Sequence, residues 1–104
     1  MRKPQKKKVS KGRKVPEEGL ACLQDALTRL GDERVEIEVR GRFAYIECEG
    51  AAVCRLGYTG DLEAWDFAIY KYSTETYSTE FLRFPEITKA YEGIVRALKA
   101  YQLM

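Results

Sequence analysis

Between residues 53 and 72 the chain alternates large apolar with small or polar side chains in two successive runs. Cys54, Leu56 and Tyr58 share one face of the first run and Trp65, Phe67 and Ile69 one face of the second, with Thr59, Gly60 and Asp61 between them as turn residues. A period of two marks half-buried strands. Setting Tyr58 opposite Trp65 brings Leu56 opposite Phe67 and Cys54 opposite Ile69, so one register gathers every large apolar side chain on one side. That side is the expected core. Asp66, Ala68, Tyr70 and Tyr72 fall on the other.

The same alternation occurs twice upstream. Val35, Ile37 and Val39 alternate with Arg34, Glu36, Glu38 and Arg40, and Gly41 marks a tight turn into residues 42 to 49. Pairing Val39 with Arg42 sets Ile37 opposite Ala44 and Val35 opposite Ile46. With residues 50 to 52 as the next loop, Cys48 faces Cys54, Ile46 faces Leu56 and Ala44 faces Tyr58. On the opposite face this register aligns Arg34, Glu47 and Arg55 and lays Tyr45 over the bare backbone of Gly57. The pattern predicts a four-stranded antiparallel meander.

Helical spacing flanks it. Pro16 suits a first helical position, Glu17 and Glu18 complement the positive end of the helix dipole, and Leu20, Leu23, Leu27 and Leu30 mark one stripe before Gly31 ends it. Gly19 in the first turn costs ~1 kcal/mol relative to Ala and favours fraying there. At the other end, Pro85 opens a helix with Ile87, Ala90, Tyr91, Ile94, Leu98 and Tyr101 at helical spacing. Residues 73 to 84 suit either a loop or a short fifth strand ending at Phe84. Tyr-Ser-Thr-Glu occurs there twice, at 72 to 75 and 77 to 80, too short a unit for a repeat architecture. Two helices with one apolar stripe each, and a sheet with one apolar face, predict a two-layer α+β domain with both helices on that face. Its core should hold Leu23, Leu27, Val35, Ile37, Ile46, Leu56, Trp65, Phe67, Ile69, Ile94 and Leu98.

Composition narrows the chemistry. At 104 residues the chain fits one domain, which buries only ~60–65% of its extended-chain surface. One Trp, seven Tyr and four Phe among 45% apolar residues belong to a globular chain. No apolar run is long enough for a membrane span or placed as a secretory signal, so the expectation is a cytoplasmic protein that makes no membrane contact. Histidine is absent, which removes the commonest general base and the commonest metal ligand together. The three cysteines have no metal-type spacing; Cys48 and Cys54 read as small buried hydrophobes rather than a redox or metal pair. Asp61, Glu63 and Asp66 crowd a turn without an adjacent nucleophile, and the glycines form no phosphate loop. The expectation is a protein that is not an enzyme, with no cofactor and no metal.

Charge supplies the strongest compositional signal. Residues 1 to 14 carry Arg2, Lys3, Lys6, Lys7, Lys8, Lys11, Arg13 and Lys14 and no acid, a charge of +8. The whole chain is +2, so residues 15 to 104, with ten basic and sixteen acidic side chains, hold −6. A like-charge block with so little apolar content is expected to be a disordered tail, leaving residues 15 to 104 as the domain. Attraction to phosphate backbones is its functional reading; an aid to solubility, or a fold back onto the acidic body, is the bland one. A second signal lies on the outer sheet face, where Phe43, Tyr45, Val53, Ala68, Tyr70 and Tyr72 sit among Arg40, Arg55, Glu36, Glu38, Glu47 and Asp66. Aromatics with arginines resemble base-stacking platforms, but four acids favour a protein partner or a second copy of the chain, met through Phe43, Tyr45, Arg55, Tyr70 and Tyr72. Alternatively, residues 73 to 84 fold over Tyr70 and Tyr72 within the monomer.

The block CRLGYTGDLEAWDFAIYKYS, Cys54 to Ser73, resembles one in small bacterial proteins of unknown function. It covers about a fifth of the chain, and implies a bacterial or phage source while bringing no activity or site with it. The order helix, strands, helix is also similar to that of the double-stranded-RNA-binding domain. The last helix of that family opens with a lysine cluster, whereas here the opening is Pro85-Glu86-Ile87-Thr88-Lys89, with one lysine.

Overall fold

The computed structural model describes residues 14–79 and 86–104. Helix α1, Glu17–Leu30, leads into strands β1, Val35–Arg40, and β2, Phe43–Cys48. Strands β3, Ala51–Tyr58, and β4, Trp65–Lys71, follow, then the short strands β5, Thr76–Ser78, and β6, Glu86–Ile87, and finally helix α2, Ala90–Ala100. The strands form one antiparallel sheet in the order β1-β2-β3-β4-β5, with β6 also paired to β4. Both helices pack on one face, α1 chiefly against α2 and β1, and α2 against β3 and β4. This is the two-layer α+β meander that the alternation predicts.

The hairpin of β3 and β4 has the predicted register, with Tyr58 opposite Trp65, Leu56 opposite Phe67 and Cys54 opposite Ile69. Trp65 and Phe67 point toward the helices and are fully buried, together with Ile46, Leu56, Ile94 and Leu98. Leu23 and Val35 join this core, and Leu27, Ile37 and Ile69 pack partly buried at its margin. The indole of Trp65 donates through Nε1 to the Leu62 carbonyl at 2.8 Å, so the one polar atom of the largest core residue is satisfied.

The other two registers differ from the prediction by two residues. In β1 and β2, Val39 faces Ala44, Ile37 faces Ile46 and Val35 faces Cys48. The turn consists of Gly41 and Arg42, with Gly41 at φ 61°, rather than of Arg40 and Gly41. In β2 and β3, Ile46 faces Cys54 and Ala44 faces Leu56, so Cys48 and Cys54 are not partners. The next turn is the pair Glu49 and Gly50, at φ 54° and 84°, which suits a two-residue hairpin. Strand β3 therefore starts at Ala51, and the ladder shifts between Ile46 and Glu47 to absorb an extra residue. That bulge turns Val53 inward beside Cys54, and both are buried in the core. Val53 thus leaves the outer face to which strict alternation assigns it.

The helix ends need correction as well. Gly31 caps α1 in the left-handed conformation, its N–H donating to the Leu27 carbonyl at 3.0 Å, as expected. The buried line of α1 runs through Gly19, Leu23 and Ala26, and Leu20 is 43% exposed. A Cβ on Gly19 would stand 2.6 Å from Val15 Cγ1 and 3.6 Å from the Trp65 ring, so this glycine is a close-approach point and not a fraying one. Helix α2 begins at Ala90, because Glu86 and Ile87 are extended and pair with Asp66 and Trp65 of β4. The expected start at Pro85 and the strand end at Phe84 lie outside the described residues. The short fifth strand is present as β5, whose Tyr77 faces Tyr70.

Candidate functional site

Four aromatic side chains stand on the sheet face away from the helices, Phe43 and Tyr45 of β2, Tyr70 of β4 and Tyr77 of β5, and Tyr72 just beyond β4 joins them at the sheet end, its ring also 6.1 Å from that of Tyr101 at the end of α2. Parity puts them there, since their strand neighbours Ala44, Ile46, Phe67 and Ile69 turn toward the core. The rings meet edge to face or tilted, Tyr70 with Tyr72 at 4.6 Å between centroids, Tyr70 with Tyr77 at 5.0 Å and Tyr45 with Tyr77 at 5.6 Å. Such pairs add a little beyond their buried area. Tyr72 is 51% exposed and donates its hydroxyl to the Ala52 carbonyl at 2.7 Å. Partial desolvation of the phenolic oxygens, with Glu47 nearby, holds Tyr72 and Tyr77 above their ordinary value.

Arginines are threaded through this array. The Arg55 guanidinium lies 4.4 Å from the Phe43 centroid and 5.1 Å from that of Tyr77. Arg42 is also 4.4 Å from the Phe43 centroid, and Arg40 lies 4.5 Å from that of Tyr45. Planar cations over ring faces are attracted by the ring quadrupole, more strongly as water is excluded. Arg42 also donates to the Tyr58 carbonyl at 2.9 Å and pairs with Asp66 at 3.2 Å. Arg40 pairs with Glu38 at 3.5 Å. Among the described residues, Arg55 has no carboxylate within ion-pair distance.

The candidate interface residues Phe43, Tyr45, Arg55, Tyr70 and Tyr72 are thus brought together on one face, and Arg42 and Tyr77 belong with them. Sequence reasoning misses both: alternation assigns Arg42 to the strand, and Tyr77 falls in a segment that suits strand or loop equally. Phe43, not Tyr45, covers Gly57, which is its cross-strand partner. The expected alignment of Arg34, Glu47 and Arg55 does not form; Glu47 faces Glu36, Arg55 faces Tyr45, and Arg34 bonds to Asp32. The described part of residues 73 to 84 extends the sheet edge as β5 and sets the Tyr77 ring against Tyr70, while Tyr72 stays half-exposed; the remainder lies outside the described residues.

Of the basic segment, Arg2, Lys3, Lys6, Lys7, Lys8, Lys11 and Arg13 lie outside the described residues, and Lys14 is exposed. The point where that segment meets the domain is fixed. Val15 is buried, and its N–H donates to the Gly41 carbonyl in the β1–β2 turn at 3.1 Å. The basic segment therefore joins the domain at the sheet end where Arg40 and Arg42 flank Gly41.

The remaining candidates carry little chemistry. All three cysteines are free thiols; Cys54 is fully buried, and desolvation pushes its thiol well above the usual range, which makes it a poor nucleophile. Asp61 accepts the Glu63 N–H at 2.9 Å as turn chemistry. Among the described residues no three or more His, Cys, Asp or Glu side chains are grouped to hold a metal, and no helix is long and apolar enough to cross a membrane. In comparisons with known proteins, no family model, curated protein or solved structure matches the chain.

Proposed function

We propose that this chain is a non-enzymatic binding module that engages nucleic acid through residues 1 to 14 with little sequence preference, in the cytoplasm. The observation that carries this reading is the segregation of charge, +8 in the first fourteen residues against −6 in the rest. Neutralising phosphates with Lys and Arg releases condensed counterions, which supplies affinity without reading bases. The anchoring of Val15 at Gly41 supports it further, because it joins the basic segment to the Arg40 and Arg42 end of the sheet. On this reading, phosphates drawn by residues 1 to 14 meet the domain at the end where that segment is rooted.

A pulldown at low salt separates this from the bland readings. The full chain is expected to retain nucleic acid, and the chain lacking residues 1 to 14 to lose it. Equal retention by both, or none by either, rejects the proposal. A second reading, association with protein through the outer sheet face, is favoured by the Arg55, Phe43 and Tyr77 stack and by Glu36 and Glu47 beside it, which have no ion-pair partner among the described residues.

A further inference from the structure

The outer face holds charges that have no ion-pair partner among the described residues. Glu36 and Glu47 are direct cross-strand partners, a like-charge pair of the kind that destabilises a sheet. Among the described residues no Lys or Arg stands within ion-pair distance of either. Arg55 is the converse. It lies diagonal to Glu47 across β2 and β3, since its direct partner is Tyr45, yet its guanidinium stays over Phe43 and Tyr77. Two rings hold that side chain in place, and among the described residues it has no ion-pair partner. Arg40 and Arg42, by contrast, have carboxylates of their own.

The geometry points to a second copy of this chain as the occupant of the outer face, with Arg55 of each copy set against the Glu36 and Glu47 pair of the other. A symmetric contact of this kind is isologous: if Arg55 meets Glu47 across the interface, Glu47 meets Arg55 at the same time. A two-fold axis in the interface plane and across the strands reverses strand direction. It turns Arg55 of each copy toward the Glu36 and Glu47 pair of the other, and that cation and those two carboxylates are the charge complementarity of the contact. Tyr45 at mid-strand and Tyr70, Tyr72 and Tyr77 beside the Glu47 end supply the aromatic surface, and such side chains commonly anchor interfaces. Nucleic acid fits this face less well, because Glu36, Glu38 and Glu47 would confront phosphates. The face measures roughly 20 by 20 Å, from about 4.8 Å per strand spacing and 3.3 Å per residue. That is below the ~800 Å² per partner of a standard interface, so the dimer is weak and reversible. It does not depend on residues 1 to 14 binding anything.

Sedimentation velocity of the full chain, freed of nucleic acid and run over a rising concentration series, tests it. The mass is expected to move from monomer toward dimer. Arg55→Glu and Glu47→Arg should each weaken self-association by about 10-fold or more, since each sets like charges together at both symmetric contacts. An equimolar mixture of the two variants should associate again: the glutamate introduced at position 55 then meets the arginine introduced at position 47, and the native Glu47 of one copy meets the native Arg55 of the other. Glu47→Arg also removes the repulsion from Glu36 within the chain, so that variant folds even if the other does not. A wild type that is monomeric throughout, or a dimer indifferent to both substitutions, overturns the proposal. So does a mixture that stays monomeric while both variants are folded, or a wild-type monomer whose binding of a single-stranded oligonucleotide is lost on Arg55→Glu.

Discussion

An ideal Cβ on Gly57 would stand 2.9 Å from Arg42 Nη1, 3.0 Å from Phe43 Cε1 and 3.2 Å from Asp66 Cβ. The missing side chain lets Phe43 and Arg42 lie against β3, and through Phe43 it sets the position of Arg55. Gly57→Ala is therefore expected to destabilise the domain by about 1–3 kcal/mol, as overpacking does, in urea denaturation. It should also weaken self-association. A neutral Gly57→Ala would mean the outer face does not depend on this contact. At Asp32, the hydrogen bonds from Arg34 lower the carboxyl from 3.8 to about 2, and Arg34 also donates to the Leu103 carbonyl at 2.8 Å. A folded value below the unfolded one means stabilisation that is present above about pH 4 and lost as pH falls through about 2. Asp32→Asn should thus lower stability slightly at neutral pH, less so in high salt, and the difference from wild type should close between pH 4 and 2. A difference that persists at pH 2 would assign the effect to something other than this carboxylate.

At the scale of strands and helices, parity is legible in the sequence and register is not. Shifting a strand by one residue exchanges its faces, whereas shifting it by two preserves them. The alternation of Val35, Ile37 and Val39 accordingly identifies the inner face while leaving open whether Ile37 meets Ala44 or Ile46. The hairpin of β3 and β4 escapes this ambiguity because only one register matches Trp65, Phe67 and Ile69 to Tyr58, Leu56 and Cys54. The bulge at Val53 and Cys54 leaves no periodic mark, since it consists of one extra apolar residue within β3. Ile87 reads as helical because its spacing to Ala90, Tyr91 and Ile94 fits a helix. Its partner Trp65 holds it in the sheet instead, a tertiary contact that overrides local pattern. As for the site, the cations and rings are legible singly, but the stack of Arg55 between Phe43 and Tyr77 depends on the two-residue register shift and on β5. Burial at this level predicts that Leu98→Ala, which empties a fully enclosed position, costs about 2–5 kcal/mol. The single Trp reports it, because Trp65 is fully buried and its emission should shift to longer wavelength on unfolding. Wild-type stability in the Leu98→Ala variant would remove α2 from the core.

For the whole molecule, the two proposals combine into a mechanism. A dimer whose axis reverses the strands places the two Gly41 turns, and the basic segments rooted at Val15, at opposite ends. Each segment then engages its own stretch of phosphates, and joining two weak sites raises the overall affinity without new contacts. The central claim is that residues 1 to 14 bind phosphate. Its most direct test is a titration of an oligonucleotide with the full chain across a series of salt concentrations, repeated with the chain lacking residues 1 to 14. With most of the eight cations engaged, log affinity should fall with log salt at a slope of roughly 5–7 in magnitude, at 0.7–0.9 per phosphate. The shortened chain should show no measurable binding. A slope near zero, or undiminished affinity without residues 1 to 14, contradicts the account.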